Sequence, residues 1–188
     1  MEKVFLELEQ EITQFQQDSG LHCLKGCGEC CKKPDIEATI IEFLPFAYHL
    51  FKEGKVDAFM EKLEANPSDS ICLNFQPFIT SEMQGGCTSY RDRGLICRVF
   101  GFSASTDKNG LPQLATCKLI KTNQQEAYLR AVESIKSGAP VPIIKNFYMK
   151  LYAIDYHLSE KMYPINMAMY KAIEYVSFHF SYRGKRAS

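Results

Sequence analysis

Four cysteines crowd into nine positions, Cys23, Cys27, Cys30 and Cys31, a density that cysteines serving as small core hydrophobes do not explain. Cys27-Gly-Glu-Cys30 is a two-residue-spaced chelate, the unit whose turn points two sulfurs at one ion in zinc ribbons and iron-sulfur loops alike. Cys72, Cys87, Cys97 and Cys117 complete a candidate set of eight metal ligands. Zinc or iron, an iron-sulfur cluster included, is the cofactor these ligands suit, and a metal ion is the expected partner. Adjacent Cys30 and Cys31 are expected to diverge, so that one of the two sulfurs needs partners from elsewhere in the chain.

Thiolates in that number stay anionic after two divalent ions bind, so cations are expected close by. Lys25, Lys32, Lys33, Arg91, Arg93, Arg98 and Lys118 all flank cysteines. Such groups lower thiol pKa and tune a metal centre from just outside its ligands, and Arg91, Arg93 and Arg98 are the candidates to hold the cofactor's charge in this way. An anion-binding substrate pocket is the competing reading of the same cations, but charge compensation explains them without a substrate. His22, beside Cys23, reads as a solvated loop residue, since the cysteines already suffice. Cys23, Cys27 and Cys30 also have the spacing of radical S-adenosylmethionine enzymes. Glu29 stands where those enzymes place an aromatic residue, however, and the chain lacks the strand-helix alternation of their partial barrel. A catalytic redox pair needs neither eight cysteines nor a double cysteine.

The 188 residues are 46% hydrophobic, 12% aromatic and 23% charged, the composition of a folded globular protein. A chain of this length buries about two-thirds of its unfolded surface in one core. Lys plus Arg and Asp plus Glu both number 22. No net field therefore draws the protein to nucleic acid or to an anionic membrane, and neither is an expected partner. The first residues alternate acidic with apolar side chains, unlike a secretory signal. The longest apolar region, 36–51, is interrupted by Glu37, Glu42, Pro45 and His49 and falls short of the roughly 20 residues of a membrane span. A cytoplasmic protein is expected, and in a reducing compartment eight cysteines point to metal ligation rather than to disulfides.

The elements that must position these sulfurs are mostly helical. Val4, Leu8, Ile12 and Phe15, with Phe5 beside them, predict a helix over 2–18 that stops at Asp18-Ser19-Gly20. Thr39 and Glu42 stand in capping-box relation before a second helix from about residue 40, whose start Pro45 is expected to shift or kink. Val56, Phe59, Met60 and Leu63 predict a third, ended by Asn66-Pro67. From Ile71 to Cys117 the pattern turns irregular and partly β. Asn109-Gly110 predicts a two-residue hairpin turn that sets Phe102 opposite Cys117, and Pro112 confines that arm to an edge. Helices follow at 122–137, 145–161 and 164–181. Tyr148, Tyr152 and Tyr156 form a stripe that reads as a packed face, and Arg183, Lys185 and Arg186 form a solvated basic tail. The expected fold is mainly α with a small irregular β/loop region, a cysteine-rich metal-binding core packed against helices. It is expected as a single domain over 1–188, with the cysteine cluster at about 20–118 and the helical C-terminal part at about 122–182.

Cys23-Leu-Lys-Gly-Cys27-Gly-Glu-Cys30-Cys31, followed by Cys87-Thr-Ser-Tyr90-Arg-Asp-Arg93-Gly-Leu-Ile-Cys97-Arg98-Val-Phe100, resembles the CxxCxxCC zinc- or iron-chelating domain family, also called the YkgJ-type cysteine cluster. The likeness spans about residues 20–118 and departs from the family at Gly94, where proline is usual. It implies metal binding through the cysteines and leaves the choice of zinc or iron open. A similar cluster occurs in flagellin lysine methylases, so an iron-sulfur enzyme or enzyme component is the alternative, although no Gly-rich methyl-donor loop follows a strand here.

Overall fold

A computed structural model describes residues 1–23, 27–67, 70–78 and 84–184; Lys25 and, of the basic tail expected at Arg183, Lys185 and Arg186, the last two residues and the Arg183 side chain lie outside what it describes. The order is α1 (Glu2–Ser19), a 3-10 turn (Glu29–Lys32), β1 (Glu37–Ala38), a second 3-10 turn (Ile41–Phe43), α2 (Leu44–Lys52), α3 (Val56–Glu64), β2 (Phe75–Phe78) and β3 (Gln84–Cys87). A third 3-10 turn (Tyr90–Asp92), α4 (Leu95–Val99), β4 (Ser103–Thr106), β5 (Pro112–Ala115), α5 (Lys118–Asn123) and α6 (Gln125–Lys136) come next. α7 (Ile144–Ile154), α8 (Tyr156–Ser159), β6 (Tyr163–Pro164) and α9 (Ile165–Gly184) complete the chain. The fold is mainly α. Among the described residues the strands form two-stranded antiparallel ladders, β1 with β6, β2 with β3 and β4 with β5, and no helix is long and apolar enough to cross a membrane.

Two units divide the chain, each discontinuous in sequence: Met1–Lys25 with Leu95–Ile154, and Gly26–Gly94 with Asp155–Ser188. The boundary falls inside the cysteine knot, between Cys23 and Cys27. The helical C-terminal part expected at 122–182 is likewise divided, at Asp155.

In the first unit, α1 buries Phe5, Leu8, Ile12 and Phe15, one apolar stripe at helical spacing, against α4, α6 and α7. Gly20 ends it in the left-handed conformation (φ 73°), its N–H returning to Gln16 O, the usual glycine stop. The β4–β5 hairpin forms where Asn109-Gly110 predicts it, but with Ser103 opposite Ala115, which sets Phe102 level with Thr116 rather than Cys117. Asp107 is the cause of this one-residue slip. Its Oδ1 accepts the N–H groups of Asn109 (2.8 Å) and Leu111 (2.9 Å), and Gly110 takes φ 80°, so the loop closes with three residues instead of two. α7 buries Phe147 and Leu151, while Tyr148 and Tyr152 flank that face half-buried and Tyr156 is exposed. The helix expected over 145–161 breaks at Asp155, which caps α8 by accepting the Leu158 N–H at 3.1 Å.

In the second unit, α9 buries Ile165, Ala168, Met169, Ala172, Ile173 and Val176, and it packs on α2, which buries Phe46, Ala47 and Leu50. The small side chains let the two helices approach closely. Glu42 Oε1 accepts the Thr39 N–H (2.8 Å) and Thr39 Oγ1–H (3.0 Å), the Glu42 half of the expected capping box, although the 3-10 turn that follows has Ile40 at its N-cap, with no side-chain cap. Pro45 sits in the first turn of α2, where the missing N–H costs nothing, and introduces no break. Arg93, at φ −62° and ψ 146°, has the extended backbone that a residue before proline adopts, so glycine at position 94 does not change the path. What Gly94 supplies is room: a Cβ there would stand 3.0 Å from Phe43 Cζ and 3.2 Å from Glu42 Oε2. Phe43 is only 2% exposed. Gly94→Ala is therefore expected to lower unfolding free energy by about 1–3 kcal/mol through overpacking, read from denaturant melts, and an unchanged midpoint would show that Phe43 yields without cost.

Candidate metal centre

Gly28 starts the site. It takes φ 60° at the head of the Glu29–Lys32 turn, and Cys31 N–H donates to its carbonyl at 2.9 Å. A Cβ on Gly28 would lie 2.5 Å from Phe75 Cε2 and 3.3 Å from Gly86 Cα, so the knot rests directly on the β2–β3 hairpin. Phe75 pairs across that hairpin with Cys87, and the Phe75 N–H donates to Cys72 O at 2.9 Å. Asn74, buried between them, accepts the Thr88 N–H (2.8 Å) and Thr88 hydroxyl (3.1 Å) at its carbonyl, and its side chain donates to Met169 Sδ at 3.3 Å. Sequence patterning gave no sign of this asparagine. Its nearest signal is a polar residue directly between the Cys72 segment and the apolar start of β2.

Cys30 and Cys31 do not diverge. A 3-10 turn spaces successive side chains about 120° apart, where a strand would oppose them, and the Cys31 thiol hydrogen-bonds to the Cys30 sulfur. That bond holds the Cys30 thiol down at about 6, against the burial that pushes it up, and the Arg93 guanidinium adds to the lowering. Burial raises the Cys87 thiol; Cys30 and Asp92 add to the rise, while the Ser89 N–H and Arg93 oppose it. Burial also pushes the Cys72 thiol up to about 11, with Cys87 contributing. Cys30, Cys31, Cys87 and Cys72 thus share one neighbourhood. Among the described residues, no three His, Cys, Asp or Glu side chains are already gathered closely enough to hold a metal ion. The donors nevertheless suit zinc or iron in kind, since one sulfur is held as a thiolate beside further thiols and a guanidinium.

The other candidate residues fall differently. Cys27 is half-buried ahead of the turn and Cys23 is exposed. Cys97, half-buried in α4, and Cys117 belong to the first unit. Cys117 caps α5, its Sγ accepting the Ile120 N–H at 3.4 Å. Arg93 stacks on Tyr90, 3.8 Å from its centroid, and Arg91 is exposed. Arg98 is buried, ion-paired with Glu9 and 4.6 Å above the Phe5 ring. His22 is an exposed loop residue whose backbone N–H and carbonyl bond the Gln124 amide at 3.0 and 2.6 Å. A contact of His49 Nδ1 with Asp92 Oδ1 at 2.8 Å had no signature in the sequence.

The model of the CxxCxxCC family, described as a putative zinc- or iron-chelating domain, matches residues 22–128. No curated protein and no solved structure matches the chain.

In metal-free, reduced protein the thiolate is the nucleophile. Alkylation of Cys30 should therefore rise through pH about 6 and level off near neutrality, while Cys72 still gains reactivity up to about pH 11. Peptide mapping after brief iodoacetamide treatment at pH 7 reads the order directly, and Cys72 labelling ahead of Cys30 would contradict it.

Proposed function

Because the chain belongs to the CxxCxxCC family, we propose that it binds zinc or iron through cysteine thiolates, with Cys30, Cys31 and Cys87 as the central ligands and Cys27 and Cys72 drawn in beside them. The observation that carries this reading is the Cys31-to-Cys30 hydrogen bond within electrostatic reach of Cys87 and Arg93. It favours a thiolate where further sulfurs stand ready. A bound ion would supply the positive charge that lets the buried thiols at 72 and 87 ionise. Cys23, Cys97 and Cys117 remain candidate ligands, and the N–H that Cys117 accepts is compatible with a metal thiolate. Arg93 is the cation best placed to offset the remaining negative charge; Arg91 and Arg98 have weaker claims. A reducing compartment such as the cytoplasm would keep the thiols available.

Elemental analysis of protein purified without oxygen, together with its visible spectrum, tests this. Zinc thiolate is colourless, whereas an iron-sulfur cluster is brown and bleaches in air. Cys30→Ser and Cys87→Ser should each cut bound metal severely, as should Cys27→Ser, while Tyr152→Phe should leave it unchanged. Removing the ion should also lower the melting temperature, since a structural zinc site contributes about 10 kcal/mol or more to folding. Full metal content in both Cys30→Ser and Cys87→Ser would overturn the proposal.

A further inference from the structure

Asn166, in the first turn of α9, is 2% exposed and uses its whole amide on one short loop. Its Oδ1 accepts the Leu73 N–H at 3.0 Å. Its Nδ2 lies 3.1 Å from each of Ser70 O, Ser70 Oγ and Ile71 O. These are the residues on either side of Cys72. Lys62 Nζ of α3 also donates to Leu73 O, at 2.6 Å. The loop between α3 and β2 has no helix or ladder of its own at Cys72: the Phe75 N–H holds the Cys72 carbonyl, and side chains from α3 and α9 hold the residues beside it.

A metal–sulfur bond tolerates displacement of only about 0.2 Å, and liganding side chains depend on the groups that orient them. Removing the Asn166 amide would take from the Leu73 N–H and the Ser70 and Ile71 carbonyls a partner that is itself buried, in a part-buried setting, and the loop would shift to find others. We propose that Asn166 is a positioning residue of the metal centre, fixing the Cys72 sulfur relative to Cys87 so that one ion can engage both. The inference rests on the thiolate reading above. It also assigns a role in the site to a residue beyond the matched stretch 22–128.

The test uses full-length protein, stripped of metal without oxygen and titrated with Co²⁺ as the probe. The readouts are thiolate-to-cobalt charge-transfer absorption per bound ion, Co²⁺ affinity by competition, and the melting temperature of the metal-free protein. Cys72→Ser should remove one thiolate's share of the band. Asn166→Leu should reproduce that loss with about 10- to 100-fold weaker Co²⁺ binding, and the double variant should lose no more band than either single one. Should Asn166→Leu fail to fold, Asn166→Asp serves instead: it keeps the acceptor for Leu73 and the residue's size, replaces the donor, and should lose the same band. A lowered melting temperature with unchanged band and affinity would make Asn166 merely structural and overturn the inference. An unchanged band in Cys72→Ser would overturn it too, leaving the thiolate reading intact through Cys30, Cys31 and Cys87. Wild-type protein that takes up no Co²⁺ would defeat both.

Discussion

The knot reaches the β2–β3 hairpin because Gly28 has no side chain. At φ 60°, with a would-be Cβ 2.5 Å from the Phe75 ring, that residue combines a left-handed backbone with a contact no other amino acid could make. The rest of the site follows from this seat. The left-handed step opens the 3-10 turn that brings Cys30 and Cys31 together, and the ring beneath it belongs to the residue paired with Cys87. Asn74, next to Phe75, then ties the segment after Cys72 to the segment after Cys87.

Within that seat, burial and charge compete. Burial alone raises a thiol's pKa, and it wins at Cys72 and Cys87. At Cys30 the hydrogen bond from Cys31 outweighs burial, and Arg93 reinforces it. Each sulfur that ionises makes the next ionisation harder, as the mutual influence of Cys30 on Cys87 and of Cys87 on Cys72 indicates. Mutual repulsion and burial thus oppose ionisation of Cys72 and Cys87 alongside Cys30, and a nearby positive charge relieves both. Nearness in sequence does not decide which arginine acts on the thiols: Arg93 lowers both Cys30 and Cys87, whereas Arg98, next to Cys97, pairs with Glu9 and lies over Phe5.

Periodic features were legible in the sequence. The α1 stripe, the Thr39–Glu42 interaction and the Asn109-Gly110 hairpin all emerge from local spacing, because each depends on residues within one or two turns of one another. Features set by a single side chain's alternative hydrogen bond were not. Asp107 slips the hairpin register by one and Asp155 ends a helix that its apolar spacing would continue. The meeting of Cys30 with Cys31 depended on a 3-10 turn of four residues, too short for any periodic pattern to announce. The clustering of thiols was legible as motif, whereas the placement of Cys72 and Cys87 beside the knot required the tertiary contacts of Phe75 and Asn74.

The second unit also shows that the motif-bearing stretch and the folded unit around Cys30, Cys72 and Cys87 do not coincide. A short 3-10 turn and a two-stranded hairpin are marginal structures alone, so the sulfurs they carry need a framework. That framework is α2, α3 and α9 with the β1–β6 ladder, and α8, β6 and α9 all lie after residue 128, where the family match ends. α9 contributes its buried face to α2, its first turn to the Cys72 loop through Asn166, and Met169 to Asn74. The cysteine motif and the helix that braces its surroundings are thus separate in sequence: the segment around Cys72 and the side chain of Asn74 are both held by α9, which contains no cysteine.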